Sequence, residues 1–461
     1  MSMLHPSRTR RWVSTPILLT CLALAGRPAA AEDARTFSPQ KTYDLGDLIS
    51  LGLSSNPSTR AAWFQARAAS AAVGQARAPY FPQISARFEG GSDQWYTPAG
   101  NAPDNFRREQ ATTILSLEYL LLDFGRRSAD LQEMIARFDA AGLAYERELQ
   151  RVVFAVQRAY FLHEAALRRQ GAAEALRLSA LTTAETVRKE AQSGLAARPD
   201  VLAAQRNVLE ADYELEDALA GVRISLGELC RTAGLPANAP LRVAPAGQPL
   251  ATADLRQKAD ALIASALAAR PDLAARAADV RAREQALRRA RADFLPEVSI
   301  EGSYAYSAFQ YEAHDGRTHG RYAEDINGYG AFLVAKWDLF DGFERVERVR
   351  KKRAEEAASR EDLSQARLDA TRDVWTAYQE NLSAASRVAS AESFVASARE
   401  NDEAARLAYK EGLAPVAELS AASSQLALAE SRRATAIADY STSLAALAFA
   451  VGSSPVKSAA P

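Results

Sequence analysis

The sequence predicts a mainly α-helical protein with a β-barrel part, in which two repeats each give a two-stranded hairpin and a very long coiled-coil helical hairpin. Three observations predict this class. The two halves of the chain are similar, each half contains a long stretch free of proline, and each contains two segments in which polar and apolar residues alternate. Alternation is typical of strands with two different faces, and the long stretches are typical of helices.

The internal similarity appears when the sequence is shifted by 214 residues near the start of each half and by 218 residues after that. The aligned pairs include Leu48 and Leu262, Pro57 and Pro271, Asp123 and Asp341, Tyr160 and Tyr378, Gly194 and Gly412, and Gly234 and Gly452. Composition alone does not produce matched glycine and proline positions. We therefore expect repeats at 32–234 and 259–452, an equatorial linker at 235–258 and a tail at 453–461.

Residues 1–31 predict a signal peptide. Arginines precede an apolar run from residue 16 to residue 26, and small residues precede Glu32. The apolar run is about ten residues long, which is too short to cross a membrane as a helix. The sequence therefore predicts an exported protein.

Charge and cysteine content exclude several classes of protein. The formal net charge is −1, and loss of four arginines with the signal peptide makes it more negative, so no nucleic-acid partner is predicted. Cys21 lies in the signal peptide, so Cys230 alone remains and no intrachain disulfide is possible. We expect Cys230 to be a buried apolar residue. No run of 18 apolar residues follows the signal peptide, so no membrane-spanning helix is predicted.

Each repeat contains a predicted β-hairpin. Strands are expected at 83–89 and 113–124 and at 298–309 and 329–340, and a long polar loop is expected at 90–108. The apolar faces carry Ile84, Ala86, Phe88, Leu115, Leu117, Tyr119, Leu121, Val298, Ile300, Tyr304, Tyr306, Ala331, Leu333, Ala335, Trp337 and Leu339, and the opposite faces carry polar residues such as Ser303. Alternation alone fits a soluble sheet equally well. Export and the aromatic residues near the strand ends favour the wall of an outer-membrane barrel.

Helices of unusual length follow each hairpin. The stretch 126–192 lacks proline, and 343–411 lacks proline and glycine. At 1.5 Å per residue each would extend about 100 Å. Heptad spacing predicts coiled-coil seams, formed by Leu149, Val153, Val156 and Tyr160 in the first helix and by Leu368, Thr371, Trp375, Tyr378 and Leu382 in the second.

A second helix returns in each half, at 200–232 and 416–450. Glycine-containing turns at 193–199 and 411–415 connect each pair of helices. The tips of the two hairpins therefore carry Gly194, Leu195, Gly412 and Leu413, far from the strands.

Four strands cannot span a membrane alone, because the backbone groups at both edges of an open sheet would lack hydrogen-bond partners in lipid. Closure requires further copies of the chain. Two copies give eight strands, with an interior filled by side chains, whereas three copies give twelve strands and room for a passage.

These features resemble the TolC-like outer-membrane efflux proteins, the exit ducts of tripartite efflux pumps and type I secretion systems. The resemblance is carried by Asn56-Pro57, Tyr80-Phe81-Pro82, Phe294-Leu295-Pro296, Leu122-Asp123-Phe124-Gly125, Trp337-Asp338-Leu339-Phe340-Asp341-Gly342 and the two glycine tips. The ordered set occurs twice and covers nearly the whole mature chain.

The resemblance implies a homotrimer with a twelve-stranded barrel in the outer membrane of a Gram-negative bacterium and an α-helical tunnel in the periplasm. It also implies that a periplasmic adaptor (membrane fusion) protein and an inner-membrane transporter dock at the tips. The duct would be passive, without enzyme activity or cofactor, and would carry small toxic compounds or a secreted polypeptide.

The family closes its tunnel by links between helices and by an acidic ring. By position relative to the tip glycines, the linking tyrosine falls on Tyr409, the linking aspartate on Asp200 and the first ring aspartate on Glu418. The linking arginine falls on Ala414 and the second ring aspartate on Ala421, so this chain departs from the pattern.

Arg198 lies two residues before Asp200 and is a candidate substitute cation. The alternative is that both are polar residues at a helix start, where a carboxylate is favoured anyway.

Other interpretations are weaker. The alanine-rich helices alone allow a coiled-coil structural or adhesive protein of the periplasm or cell surface, without a pore. His314, Asp315, His319 and Asp325 could bind a metal, but their spacing matches no established ligand pattern. An exposed loop from 311 to 325 is the favoured interpretation. The sequence shows no metal-ligand cluster, phosphate loop or catalytic triad.

Overall fold

The computed structural model describes residues 37–96, 105–245, 259–314 and 319–453. The first half contains β1 (Thr42–Tyr43), α1 (Leu45–Ser55), α2 (Pro57–Arg77), a 3-10 turn (Ala78–Tyr80), β2 (Gln83–Tyr96), β3 (Asn105–Leu122), α3 (Arg126–Gln192), α4 (Arg198–Thr232) and β4 (Arg242–Val243). The second half contains α5 (Ala259–Ala269), α6 (Pro271–Ala292), β5 (Glu297–His314), β6 (His319–Lys336), α7 (Glu344–Lys410) and α8 (Val416–Val451).

Several sequence predictions lie outside the described residues. They are the signal peptide at 1–31, most of the linker at 235–258 and nearly all of the tail at 453–461. The described part of the linker includes β4, which pairs in parallel with β1.

The long helices have the predicted extent. α3 and α7 contain 67 residues each, which corresponds to about 100 Å. α4 begins at Arg198, two residues earlier than predicted, because Pro199 is tolerated in a first helical turn. Each long helix packs against its return helix, and α3 also packs against α8, so the helices lie side by side in the order α7, α8, α3, α4.

The four long strands form one antiparallel sheet in the order β2, β3, β5, β6. The β3–β5 pairing joins the two halves of the chain. The register places Ile84 beside Leu117, Leu115 beside Tyr304 and Tyr304 beside Tyr329. Most of the predicted apolar residues of the strands therefore share one face of the sheet, and residues such as Ser303 share the other. Leu121 is an exception, because a register shift skips it and places Leu122 beside Val298.

Two predicted loops are strands in the structure. β2 continues to Tyr96 and β3 begins at Asn105, within the expected loop 90–108. The expected loop 311–325 lies mostly in β5 and β6, with His314 paired to His319. Polar sequence did not prevent strand formation, because continuous cross-strand pairing satisfies the backbone of these residues.

The predicted ends of two strands were wrong. Residues 337–340 were expected in a strand, but β6 ends at Lys336, which pairs with Glu297 at the start of β5. No β5 residue remains to pair with Trp337. Similarly, β3 ends at Leu122, and Phe124 has left-handed backbone torsions.

One predicted coiled-coil seam packs within this chain only in part, because Tyr378 lies against the core of α5, α7 and α8 while other seam residues are exposed. Leu368, Trp375 and Leu382 are 66%, 51% and 42% exposed. α7 instead presents small residues to α8, because alanines allow close approach of the two helices. The buried residues on this side of α7 include Ala370, Val374, Ala377, Asn381 and Ala384. The first predicted seam is buried, with Val156 fully inaccessible.

Two apolar cores fix the middle of the molecule. The first packs α1 against α3 and α4 through Leu48, Val156 and Leu229, and Cys230 lies in it fully buried, as predicted. The second packs α5 against α7 and α8 around Val374 and Leu447. By length and mean hydropathy α8 could cross a membrane, but half of its most apolar window is buried inside the molecule, as in a core helix.

A charged cluster joins the two halves beside these cores. Arg270 is 6% exposed and binds Asp272 at 2.7 Å and Asp373 at 3.3 Å. Arg147 of α3 lies 3.6 Å from Asp272 and donates to the carbonyl oxygen of Phe449 near the end of α8. Burial lowers the pKa of Arg147 to about 10, which leaves it charged at neutral pH. The cluster therefore ties α3, α6, α7 and α8 together.

Matched arginine clamps hold the turns between sheet and long helices. Arg127 binds Asp123 and donates to the carbonyl oxygens of Pro79 and Leu120. Arg345 binds Asp341 at 2.7 Å and donates to the carbonyl oxygens of Asp293 and Asp338. The two clamps occupy aligned positions in the two halves.

Replacement of Arg345 by alanine should lower the thermal midpoint of the folded protein by several degrees, because two carbonyl groups lose their donor and Asp341 keeps only the backbone amide of residue 345. Arg350→Ala on the same helix is the control. Its ion pair with Glu347 is exposed, and its loss should cost less than about 1 kcal/mol. The thermal midpoint of the purified protein measures both changes, and equal midpoints for the two variants would contradict the clamp.

Candidate functional site at the helical tips

The two tips have the same backbone geometry. Gly194 and Gly412 have φ values of 79° and 71°, a conformation that glycine adopts without strain. The amide of Leu195 donates to the carbonyl oxygen of Glu190 at 2.7 Å, and that of Leu413 donates to Ala408 at 2.8 Å. These bonds close the last turn of each long helix.

Each tip exposes one leucine. Leu195 is 82% exposed and Leu413 is 81% exposed. An apolar side chain held out from a rigid turn can enter a pocket of a partner protein.

The two hairpins contact each other close to the tips. Val416 of α8 packs with Val187 of α3 and Ala204 of α4, and all three are almost fully buried. Asn207 of α4 donates to the hydroxyl of Ser420 of α8 at 2.5 Å. An apolar contact and a polar contact therefore connect the two hairpins near the tips.

Tyr409 supplies a further link between the hairpins. Its hydroxyl donates to the carboxylate of Glu190 at 2.8 Å, joining the end of α7 to the end of α3. Its ring packs beside Ala405 and Leu419. Burial, and then the hydrogen bond and the charges of Glu190 and Asp200, raise the pKa of Tyr409 above its usual range. The hydroxyl therefore stays protonated and able to donate.

Asp200 lies near this link, but its carboxylate accepts from the amide of Ala197 at 3.2 Å, at the start of α4. Arg198 is exposed in the first turn of α4, and in the described part of the chain it has no ion pair. Glu418 is exposed in the first turn of α8. The structure thus brings Tyr409 and Asp200 to one site and leaves Arg198 and Glu418 facing outwards from this single chain.

A buried polar network lies above the tips. Asp402 is 4% exposed and accepts from Ser423 at 2.6 Å and from Arg406 at 2.7 Å. Arg406 also donates to the hydroxyl of Ser179 at 3.0 Å, and Ser179 lies 3.3 Å from Ser423. The network joins α3, α7 and α8.

The sequence did not identify Glu190 or the Asp402 network. No residue pattern marks Glu190, because its partner is 219 residues away along the chain. The spacing of Asp402 and Arg406 is a helical ion-pair spacing, which is common on exposed surfaces. In contrast, Arg127 and Arg345 align at the same offset as Asp123 and Asp341, so the repeat itself carried a signal for the clamps.

No metal-ligating cluster of three or more His, Cys, Asp or Glu side chains occurs in the described ranges. Asp315 lies outside these ranges. His163, half-way along the chain's first long helix, is buried and bonded to Ser225, and burial lowers its pKa.

Comparison with known proteins identifies the class to which this architecture belongs. The profile of the outer membrane efflux protein family matches residues 48–235 and again 262–453. The chain therefore belongs to the outer membrane efflux protein family. The predicted family, its outer-membrane location with a periplasmic tunnel and its role as an exit duct are confirmed.

Individual relatives agree with this assignment. Protein CyaE of Bordetella pertussis is 30% identical over 368 residues, which cover 78% of this chain and 74% of the relative. A membrane protein from Pseudomonas aeruginosa has a TM-score of 0.75 at 22% identity, covering 88% of this chain and 93% of the other. The CmeC outer membrane channel of Campylobacter jejuni has a TM-score of 0.75 at 16% identity, covering 89% and 85%. The structural matches show a shared fold.

Replacement of Tyr409 by phenylalanine should loosen the tips while keeping the ring contacts with Ala405 and Leu419. A hydrogen bond to a charged group contributes about 1.5 to 3 kcal/mol, so opening should become more than tenfold easier. Hydrogen exchange at the ends of α3 and α7 measures this. Tyr329→Phe is the control, because Tyr329 is 91% exposed on β6 of the sheet, away from the tips. Unchanged exchange in the Tyr409 variant would contradict the link.

Proposed function

We propose that three copies of this chain close a twelve-stranded barrel and a twelve-helix tunnel, forming a passive exit duct. An inner-membrane transporter and a periplasmic adaptor supply cargo and energy. This proposal rests on the unpaired edges that one chain leaves in its four-stranded sheet and in its row of four long helices.

The sheet has one free edge on each side. β2 and β6 pair on one side only, and both lie in the part of the molecule that carries the apolar face. Backbone groups at such edges need partners in lipid. Pairing β2 of one copy with β6 of the next supplies them, and three copies leave a passage inside the barrel.

The helical layer has free edges at the same sides. α4 carries an exposed apolar stripe at its outer face, and α7 carries the exposed seam described above. The stripe on α4 consists of Leu202, Leu209, Tyr213 and Ile224. Ile224 and Leu382 each lie 30 residues from the glycine of their tip, so they stand at the same height. α4 of one copy therefore fits against α7 of the next.

The tips are the proposed docking points for the adaptor. Gly194 and Leu195 in one tip and Gly412 and Leu413 in the other present the same shape twice. Adaptor binding there would separate the hairpins and break the bond between Tyr409 and Glu190. The chain itself performs no catalysis and needs no cofactor in this scheme, and its polar inner face would pass small toxic compounds or a secreted polypeptide.

The closed state has two further proposed elements, Arg198 and Glu418. Arg198 has an exposed guanidinium, so its partner would be a carboxylate of the neighbouring copy. Glu418 would converge with its counterparts on the axis, where three carboxylates favour cations. A non-pore structural or adhesive protein is not favoured, because the chain belongs to a family of channels.

Single-channel conductance in a planar bilayer tests the duct. We expect the purified oligomer to give a low, cation-selective conductance, and Glu418→Ala to raise the conductance or remove the selectivity. Glu411→Ala, an exposed acidic residue beside the second tip glycine, is the control. A membrane-inserted oligomer that stays silent in both variants and after Tyr409→Phe would contradict the conduit.

Replacement of Arg198 by alanine should increase leak through the closed duct and raise the sensitivity of cells to large antibiotics. Arg223→Ala, an exposed arginine farther along the same helix, is the control. If Arg198→Ala leaves leak and drug sensitivity unchanged, Arg198 does not replace the missing linking arginine.

A further inference from the structure

The two turns between sheet and long helices have left-handed backbone torsions at two successive residues. Phe124 and Gly125 have φ values of 50° and 94°, and Gly342 and Phe343 have values of 69° and 71°. Within the described ranges, the two phenylalanines are the residues other than glycine with positive φ. A bulky residue in this conformation is strained, because its Cβ crowds the neighbouring backbone.

The order of the two residues differs between the turns. The offset that aligns Asp123 with Asp341 places Phe124 on Gly342 and Gly125 on Phe343. Each turn thus has a glycine, which adopts positive φ without strain, at one position and a strained phenylalanine at the other. A strained phenylalanine in each of the two turns, at opposite positions, points to a role for the aromatic side chain.

Packing inside the chain does not account for these phenylalanines. Phe124 is 48% exposed and Phe343 is 64% exposed. A Cβ atom placed on Gly125 or Gly342 would meet no other atom within 4 Å, so the turns stand in open space. The Phe343 ring contacts Phe340, whose own side chain is 73% exposed.

Both turns lie at the helix-side end of the sheet, among other exposed large side chains. These are Tyr80, Phe81, Leu122, Phe294, Leu295, Trp337, Leu339 and Phe340. The clamp arginines lie over two of the rings, Arg127 over Tyr80 and Arg345 over Phe294. Aromatic side chains concentrate where hydrocarbon meets lipid headgroups, and transmembrane barrels carry such girdles at both interfaces.

We propose that Phe124 and Phe343 anchor the duct to phospholipid at the headgroup boundary of the periplasmic leaflet. The left-handed turns hold the rings in the lipid interface, and the clamps hold the turns. This anchoring rests on the placement of the sheet in the outer membrane, and it fixes the height at which the helical layer leaves the membrane.

Spin labelling in phospholipid bilayers tests the proposal. Single cysteines at Phe124 and Phe343, in a Cys230→Ala background, carry a nitroxide whose collisions with oxygen and with a water-soluble nickel chelate are measured. Ala331→Cys on the apolar face and Ser303→Cys on the polar face are matched controls. We expect the ratio of oxygen to nickel collisions at positions 124 and 343 to exceed that at 303 several-fold and to lie at or slightly below that at 331.

Three results would overturn the anchor. A ratio like that at Ser303 would place the rings in the aqueous passage. Protection from both reagents would place them against a neighbouring copy. If the Ala331 control itself behaved as an aqueous site, the membrane placement of the sheet would fail, and the anchor would fail with it.

A second measurement separates anchoring from folding. Phe124→Gly removes the ring and relieves the strain. Relief of strain acts alike in both media, so loss of the lipid anchor should appear as a lower thermal midpoint of the oligomer in bilayers but not in detergent. The double change Phe124→Gly and Gly125→Phe reproduces the order of the second turn and should restore the midpoint in bilayers. An equal loss in bilayers and detergent would show a packing role and overturn the proposal.

Discussion

The constraint on which the rest of the structure depends is the pairing of backbone groups at the edges of the sheet. A sheet of four strands leaves the outer groups of β2 and β6 without partners in the chain, and lipid offers none. In the proposed oligomer, pairing with further copies satisfies these groups, and the helical layer closes as well. The exposed stripes on α4 and α7, which would be a liability on an isolated chain, are the contact surfaces in that proposal.

The two halves share the clamps and the tip turns, but they differ in the contacts near the middle of the molecule. The clamps of Arg127 and Arg345 and the turns at Gly194 and Gly412 are the same in both halves, because each half meets the same geometric task. The contact between the residue before α2 or α6 and the end of the return helix differs between the halves. In the first half the side-chain amide of Asn56 donates to the carbonyl oxygen of Thr232. In the second half the charged cluster around Arg270 makes the corresponding contact.

The link at the tips joins the two halves of the chain. Tyr409 and Glu190 come from α7 and α3, so their bond forms only when the two hairpins lie together. The buried carboxylate of Asp402 adds a second polar connection higher up. A buried charge is costly without partners, so separation of the hairpins must keep Asp402 paired or expose it to water. The apolar contact of Val416 tolerates separation more easily, because it has no such requirement.

The sequence by itself determined the repeat, the long helices, the alternating strands and the family. These follow from the periodicity of apolar residues and from the positions of glycine and proline, which can be read directly from the chain. It misjudged the strand ends and the seam of Leu368 and Trp375, because pairing and partner choice are set by neighbouring elements. Tertiary structure alone decided that Tyr409 meets Glu190, that Arg270 lies buried between two aspartates, and that Phe124 and Phe343 occupy left-handed turns. Tyr409 and Glu190 are 219 positions apart, and such a contact leaves no periodic trace in the sequence. Burial of Arg270 and the backbone torsions of the two phenylalanines likewise depend on the elements that pack around them.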